Sequence, residues 1–140
     1  GVVYADYFAS PDLMFPTAVR DESRLKRKDY VFGIRELDVA RAWPLEAFKG
    51  GKVINDVFAK RPVVLIGDAA TRTVRAYERG KNTFNGSSEA LKSGGALWQI
   101  GEEALTGPNG EKLDRIAGHL AFWFAWDGYL GARSTIYEGK

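Results

Sequence analysis

Gly50-Gly51-Lys52-Val53-Ile54-Asn55-Asp56-Val57-Phe58-Ala59-Lys60-Arg61-Pro62-Val63-Val64-Leu65-Ile66-Gly67-Asp68 holds the most hydrophobic strand-like run in the chain. Two glycines break the chain, an apolar segment follows with the polar pair Asn55-Asp56 at its centre, and Ala59-Lys60-Arg61 make a turn before Pro62. Val63 to Ile66 have no polar member in either alternating register. The run therefore reads as a strand covered on both faces, ended by Gly67-Asp68.

Downstream, Thr71-Arg72 supply a turn and Thr73-Val74-Arg75-Ala76-Tyr77 resumes alternation, with Val74 and Ala76 on one face. Three strands joined by short turns predict an antiparallel meander. From Arg79 to Gly95 the composition changes to Gly, Ser, Asn and Lys, which reads as loop. Ala96-Leu97-Trp98-Gln99-Ile100 is a further strand, and Thr106-Gly107-Pro108-Asn109-Gly110 reverses the chain. In Gly118 to Tyr129, helical spacing puts Phe122, Trp126 and Tyr129 on one face and His119 and Trp123 on another, which predicts an aromatic helix buried in the domain or against a partner. Ser134 to Tyr137 closes the chain as a last strand.

Upstream, Tyr30-Val31-Phe32-Gly33-Ile34 and Val39-Ala40-Arg41-Ala42-Trp43 form a hairpin across Glu36-Leu37-Asp38. Pro44 suits the first turn of a short helix over Leu45 to Lys49, stopped by Gly50-Gly51. Residues 1–20 are aromatic but irregular, with Pro11 and Pro16 arguing against a helix, and Arg24 to Lys28 is a basic run flanked by acids that reads as surface. No repeat or linker interrupts this order. The expectation is one globular domain over 1–140, of α+β class and mainly antiparallel β, as a curled sheet or partly open barrel, with short helices and one aromatic helix near the C-terminus.

Composition narrows the chemistry. The chain has 140 residues, 45% hydrophobic and 27% charged, enough for a core without covalent staples. A formal charge of +2 gives no electrostatic case for nucleic acid. There is no cysteine, which removes disulfides, thiolate metal sites and cysteine nucleophiles. A single histidine, His119, removes multi-histidine metal sites. No metal, no cofactor and no transmembrane segment are expected, since no apolar run approaches the ~20 residues a spanning helix needs.

Four polar residues are candidates for ligand binding. Asn55 and Asp56 interrupt an apolar run and present an amide and a carboxylate, or else satisfy backbone N–H groups in a turn or bulge. Asp68 stands at a strand end, where an acid either reacts or caps a turn. His119 caps the start of the aromatic segment, hydrogen-bonds to the edge of the core or meets a ligand. Trp98, Trp123 and Trp126 are candidate partner contacts, set against burial in the core. The glycines after Arg79 lack the Gly-Lys-Ser/Thr ending of a phosphate loop, and no Gly-x-Ser-x-Gly elbow is present.

Taken together, Val53-Ile54-Asn55-Asp56, Arg61-Pro62-Val63-Val64, Thr71 to Tyr77, Leu97-Trp98, Gly107 to Leu113 and His119 with Phe122 to Trp126 resemble, in order, the domain of unknown function 3179 family. The resemblance runs from about Leu13 to Tyr137. Many members of that family carry Trp-His-Glu before the Asn-Asp pair and Cys-Pro-Leu-Cys after the Pro-Val-Val strand. Here those places hold Gly50-Gly51-Lys52 and Gly67-Asp68-Ala69-Ala70, so no metal or redox role carries over. The resemblance implies no activity, and it implies an exported or envelope-associated location. The expected function is a non-enzymatic accessory or interaction domain with a protein partner, in an extracytoplasmic or membrane-associated assembly. The alternative is a small-molecule-binding domain or weak hydrolase with a pocket around Asn55, Asp56, Asp68 and His119.

Overall fold

In the computed structural model, which describes residues 29–36, 39–123 and 134–138, the apolar run is the strand between two cores. It forms β4 (Arg61–Asp68), between β3 (Lys52–Phe58) and β5 (Thr73–Glu78). Val63, Val64 and Leu65 are wholly buried and Ile66 is nearly so. Pleating sends Val63 and Leu65 to one core and Val64 and Ile66 to another, so a strand with no polar face is covered on both sides, as expected.

The first core lies between β3, β4 and β5 and a second, four-stranded sheet. That sheet has the order β11 (His119–Phe122), β1 (Tyr30–Glu36), β2 (Val39–Pro44), β12 (Ser134–Ile136). Phe32, Ile34 and Trp43 from this sheet meet Ile54, Phe58 and Leu65 from the other. The predicted hairpin is present, paired from Val31↔Pro44 to Glu36↔Val39. β12 is the expected last strand, but it runs parallel to β2. The short helix after Pro44 is a 3-10 turn over Leu45–Phe48, which drops Leu45 and Phe48 into the core. Phe48 also explains Gly67: a β-carbon there would stand 2.9 Å from the Phe48 ring and 2.8 Å from the Thr73 carbonyl.

The second core fills a nearly closed, barrel-like sheet. Its order is β3, β4, β5, β10 (Lys112–Ile116), β9 (Ala104–Thr106), β8 (Ala96–Ile100), β7 (Ala90–Ser93), β6 (Asn85–Ser87). Neighbours in it are antiparallel, and the interior holds Tyr77, Phe84, Leu91, Trp98 and Leu105. The chain reverses at Thr106–Gly110, where Gly107 N–H donates to the Glu111 carbonyl at 2.9 Å.

Two expectations are corrected. Residues 85–93, read as loop, carry β6 and β7; Gly86 at φ +101° inside β6 and a turn at Gly94 and Gly95, at +61° and +80°, let a Gly- and Ser-rich segment form short strands. The aromatic helix is not found where it was expected to begin: His119–Phe122 is β11, paired with β1 from Gly33↔His119 to Tyr30↔Phe122. The Tyr30 and Phe122 rings stack at 4.8 Å, so the partner strand sets the conformation of these strand-forming residues. Trp126 and Tyr129 lie outside the described residues, as do the N-terminal aromatics and the basic run at 24–28. Among the described residues helix is nearly absent.

Candidate functional site

Asn55 and Asp56 are consecutive residues in the middle of β3, opposite Val64 and Val63. Successive strand residues point to opposite faces, so an amide and a carboxylate at these positions cannot converge on one pocket. Asn55 turns to the barrel side. Its Nδ2 donates to the Phe84 carbonyl at 2.8 Å, and its Oδ1 accepts from Phe84 N–H at 2.9 Å. The side chain thus exchanges with Phe84 the two hydrogen bonds that an antiparallel neighbour would exchange.

Asp56 turns to the four-stranded sheet. Arg41 Nε and Trp43 Nε1 both donate to its Oδ2 at 2.9 Å, and Val57 N–H donates to Oδ1 at 2.8 Å. Arg41 in turn donates from Nη1 to Thr135 Oγ1 at 3.0 Å, and its guanidinium lies 5.6 Å from the Trp43 ring and 6.0 Å from that of Tyr137. Burial pushes the Tyr137 hydroxyl above its ordinary pKa of 10.0; the Asp56 carboxylate adds to that and Arg41 opposes it. One carboxylate therefore gathers β2, β3 and the segment of β12 at the seam of the two sheets. Arg41, Trp43 and Tyr137 were not singled out from the sequence. The signal was an arginine alternating in register with Val39 and Trp43 on an apolar strand face, a place that requires an acid partner.

A second seam closes the end of the same core. Arg61 donates to Glu36 from Nη2 and to Glu78 from Nη1, the latter at 2.8 Å. Arg79 fixes the other side of β3: it donates to the carbonyls of Val63 at 2.8 Å, Asp56 at 3.0 Å and Asn82 at 3.1 Å.

Asp68 ends β4 as a turn cap, accepting from Ala70 N–H at 3.0 Å. It lies four residues along β4 from the Asn55 partner Val64, which is about 13 Å at the rise of a strand. His119 is exposed on β11, in the other sheet. The structure therefore does not bring Asn55, Asp56, Asp68 and His119 together.

Three clefts among the described residues lie elsewhere. One of about 340 Å³ is lined by Asp29, Tyr30, Leu45, Glu46 and Lys49. Two adjoining ones of about 500 and 610 Å³ share Leu91, Trp98, Gln99 and Thr106. None of the three is lined by the four polar candidates. Trp98 keeps 7% of its surface and Trp123 only 1%, so both indoles are largely core, while Trp126 lies outside the described residues. No group of three or more His, Cys, Asp or Glu side chains among the described residues is placed to hold a metal ion, and no described helix is long and apolar enough to cross a membrane.

No curated protein and no solved structure matches the chain. A family model does, over residues 3–132, and it takes in the Asn55-Asp56 strand, the doubly covered β4 and every strand of the barrel-like sheet. With that much of its length matched, the chain belongs to the family described as protein of unknown function, DUF3179.

Proposed function

We propose that this chain is a non-enzymatic accessory or interaction domain, working as a subunit of an extracytoplasmic or membrane-associated assembly. The observation that carries this reading is how the polar side chains of β3 are used. Asn55 gives both ends of its amide to Phe84, and both Asp56 oxygens accept hydrogen bonds from the surrounding fold. A general acid or base needs a proton route to a substrate and a partner within ~3 Å of the reacting group. These side chains instead hold strands together.

A partner needs apolar surface to bury. In this reading that surface includes Leu97, which is 63% exposed beside the clefts around Trp98, and Val57, which is 52% exposed at the end of β3. The location rests on the family. The test is gentle purification of the protein from its native membrane and soluble fractions, with the molar mass measured by light scattering. The expected result is a particle well above the 15.5 kDa of this chain that contains a second protein. A lone chain that turns over a substrate in a broad hydrolase screen would overturn the reading.

A further inference from the structure

β3 and β6 stand at the two ends of the eight-stranded order and share no backbone ladder. They nonetheless face each other in the sequence order of an antiparallel pair. Ser88 lies against Gly51, where a β-carbon would come within 2.7 Å of Ser88 Oγ, and Phe84 lies against Asn55. The two hydrogen bonds across this seam come from the Asn55 side chain. The residue it grips is also a core residue: the Phe84 ring is 2% exposed and meets the Trp98 ring edge-on at 5.1 Å.

The segment behind that grip is tied firmly at its two feet and weakly between them. At one foot Arg79 binds three carbonyls; at the other the Tyr77 hydroxyl donates to the Gly101 carbonyl at 2.7 Å. Between the feet, β8 meets β9 only at Gln99↔Thr106 and Ile100↔Leu105, and β7 meets β8 only from Leu91↔Trp98 to Ser93↔Ala96. The clefts of about 500 and 610 Å³ open along this same segment. Short ladders and open flanks mark the part of a fold that opens before the whole unfolds.

We propose that β6, β7 and β8 form a flap, anchored at Arg79 and Gly101 and latched by the Asn55 amide on Phe84, and that it opens as a unit to uncover the apolar lining of Phe84, Leu91 and Trp98. The inference is independent of the accessory reading, since it concerns how one sheet closes.

Hydrogen exchange followed by mass spectrometry on the full chain tests it with two variants of opposite effect. Asn55→Asp keeps the shape of the side chain but sets an oxygen against the Phe84 carbonyl, and exchange over residues 85–100 is expected to accelerate about tenfold or more, with β4 and β1 unchanged. Gly51→Cys with Ser88→Cys locks the tip. A β-carbon at Gly51 would lie 3.7 Å from Ser88 Cβ, within the span of a disulfide, and the chain has no other cysteine to mispair. The oxidised pair is expected to slow exchange in the same residues, and reduction to restore it; the reduced form controls for strain at Gly51, whose φ is +79°. Equal acceleration of β1, β4 and the flap in Asn55→Asp overturns the proposal, because the amide would then support the whole fold. So does an oxidised pair that leaves exchange over 85–100 unchanged.

Discussion

The two cores on either side of β4 are built by different means. Between the sheets, β3 pairs with β4 along its whole length, from Lys52↔Gly67 to Phe58↔Arg61, and charged side chains close the seams at Asp56 and Arg61. On the barrel side the strands after β5 are short, and the sheet closes on one amide. Both cores are dry. On the proposed flap motion, burial alone does not make a region cooperative with the rest: ladders and cross-seam bonds decide how far an opening spreads.

The sharpest way to break this comparison is to cut the same side chain from each core. Leu65→Ala empties a fully buried site between the sheets and is expected to cost about 3–5 kcal/mol, lowering the midpoint of a urea titration followed by far-UV circular dichroism. Leu91→Ala removes an equally buried group from the barrel side, and there a cost nearer about 2–3 kcal/mol is expected, with the added signature of faster exchange over residues 85–100. If both variants lower the global transition equally and neither shows local exchange, the two cores are one unit.

Next in size is the seam at Asp56. Asp56→Asn keeps its volume but leaves the part-buried Arg41 guanidinium without a counter-charge, an expected loss of about 2–3 kcal/mol in the same urea titration. A neutral result would show that the charged seam contributes nothing beyond the ladders.

Each core also holds a tyrosine that burial pushes above its ordinary pKa of 10.0: Tyr77 in the barrel and Tyr137 at the seam. The unfolded chain ionises near pH 10 while the folded chain keeps these protons. The stability they carry is therefore present below pH 10 and is lost as pH rises through the folded values. Melting temperature followed from pH 8 to 11 should fall above pH 10, and Tyr77→Phe should make that fall shallower. A flat profile would remove the assignment.

The smallest effect is expected at the hairpin joining β3 to β4, where Ala59 and Lys60 have φ of +52° and +66° without a glycine. Ala59→Asn with Lys60→Gly supplies the residues that such a turn favours and is expected to add about 1 kcal/mol. A loss of stability would mean that the tip makes contacts its exposure does not suggest.

The candidate site was only partly legible in the sequence. An Asn-Asp pair inside an apolar run was conspicuous, and its structural reading, with side chains satisfying backbone N–H groups, holds for Phe84 and Val57. The expected turn or bulge does not, because both residues are in regular strand pairing. The side-chain partners of Asp56 are separated from it by 13 and 15 positions in the chain, and Phe84 from Asn55 by 29. No local pattern carries such pairings.

Local periodicity in the chain dictates the β1 and β2 hairpin, the meander of β3, β4 and β5, the reversal at Gly107-Pro108-Asn109-Gly110, and the two-sided burial of Val63 to Ile66. Each follows from side chains within a few positions of one another. Long-range pairing makes His119 to Phe122 a strand, since β1 supplies its hydrogen bonds, and sets β12 parallel to β2. Tertiary contacts also decide that a Gly- and Ser-rich stretch forms β6 and β7 and closes a barrel against Asn55. Those outcomes depend on backbone groups brought together from distant parts of the chain, whose energies exceed the weak local preference of the residues concerned.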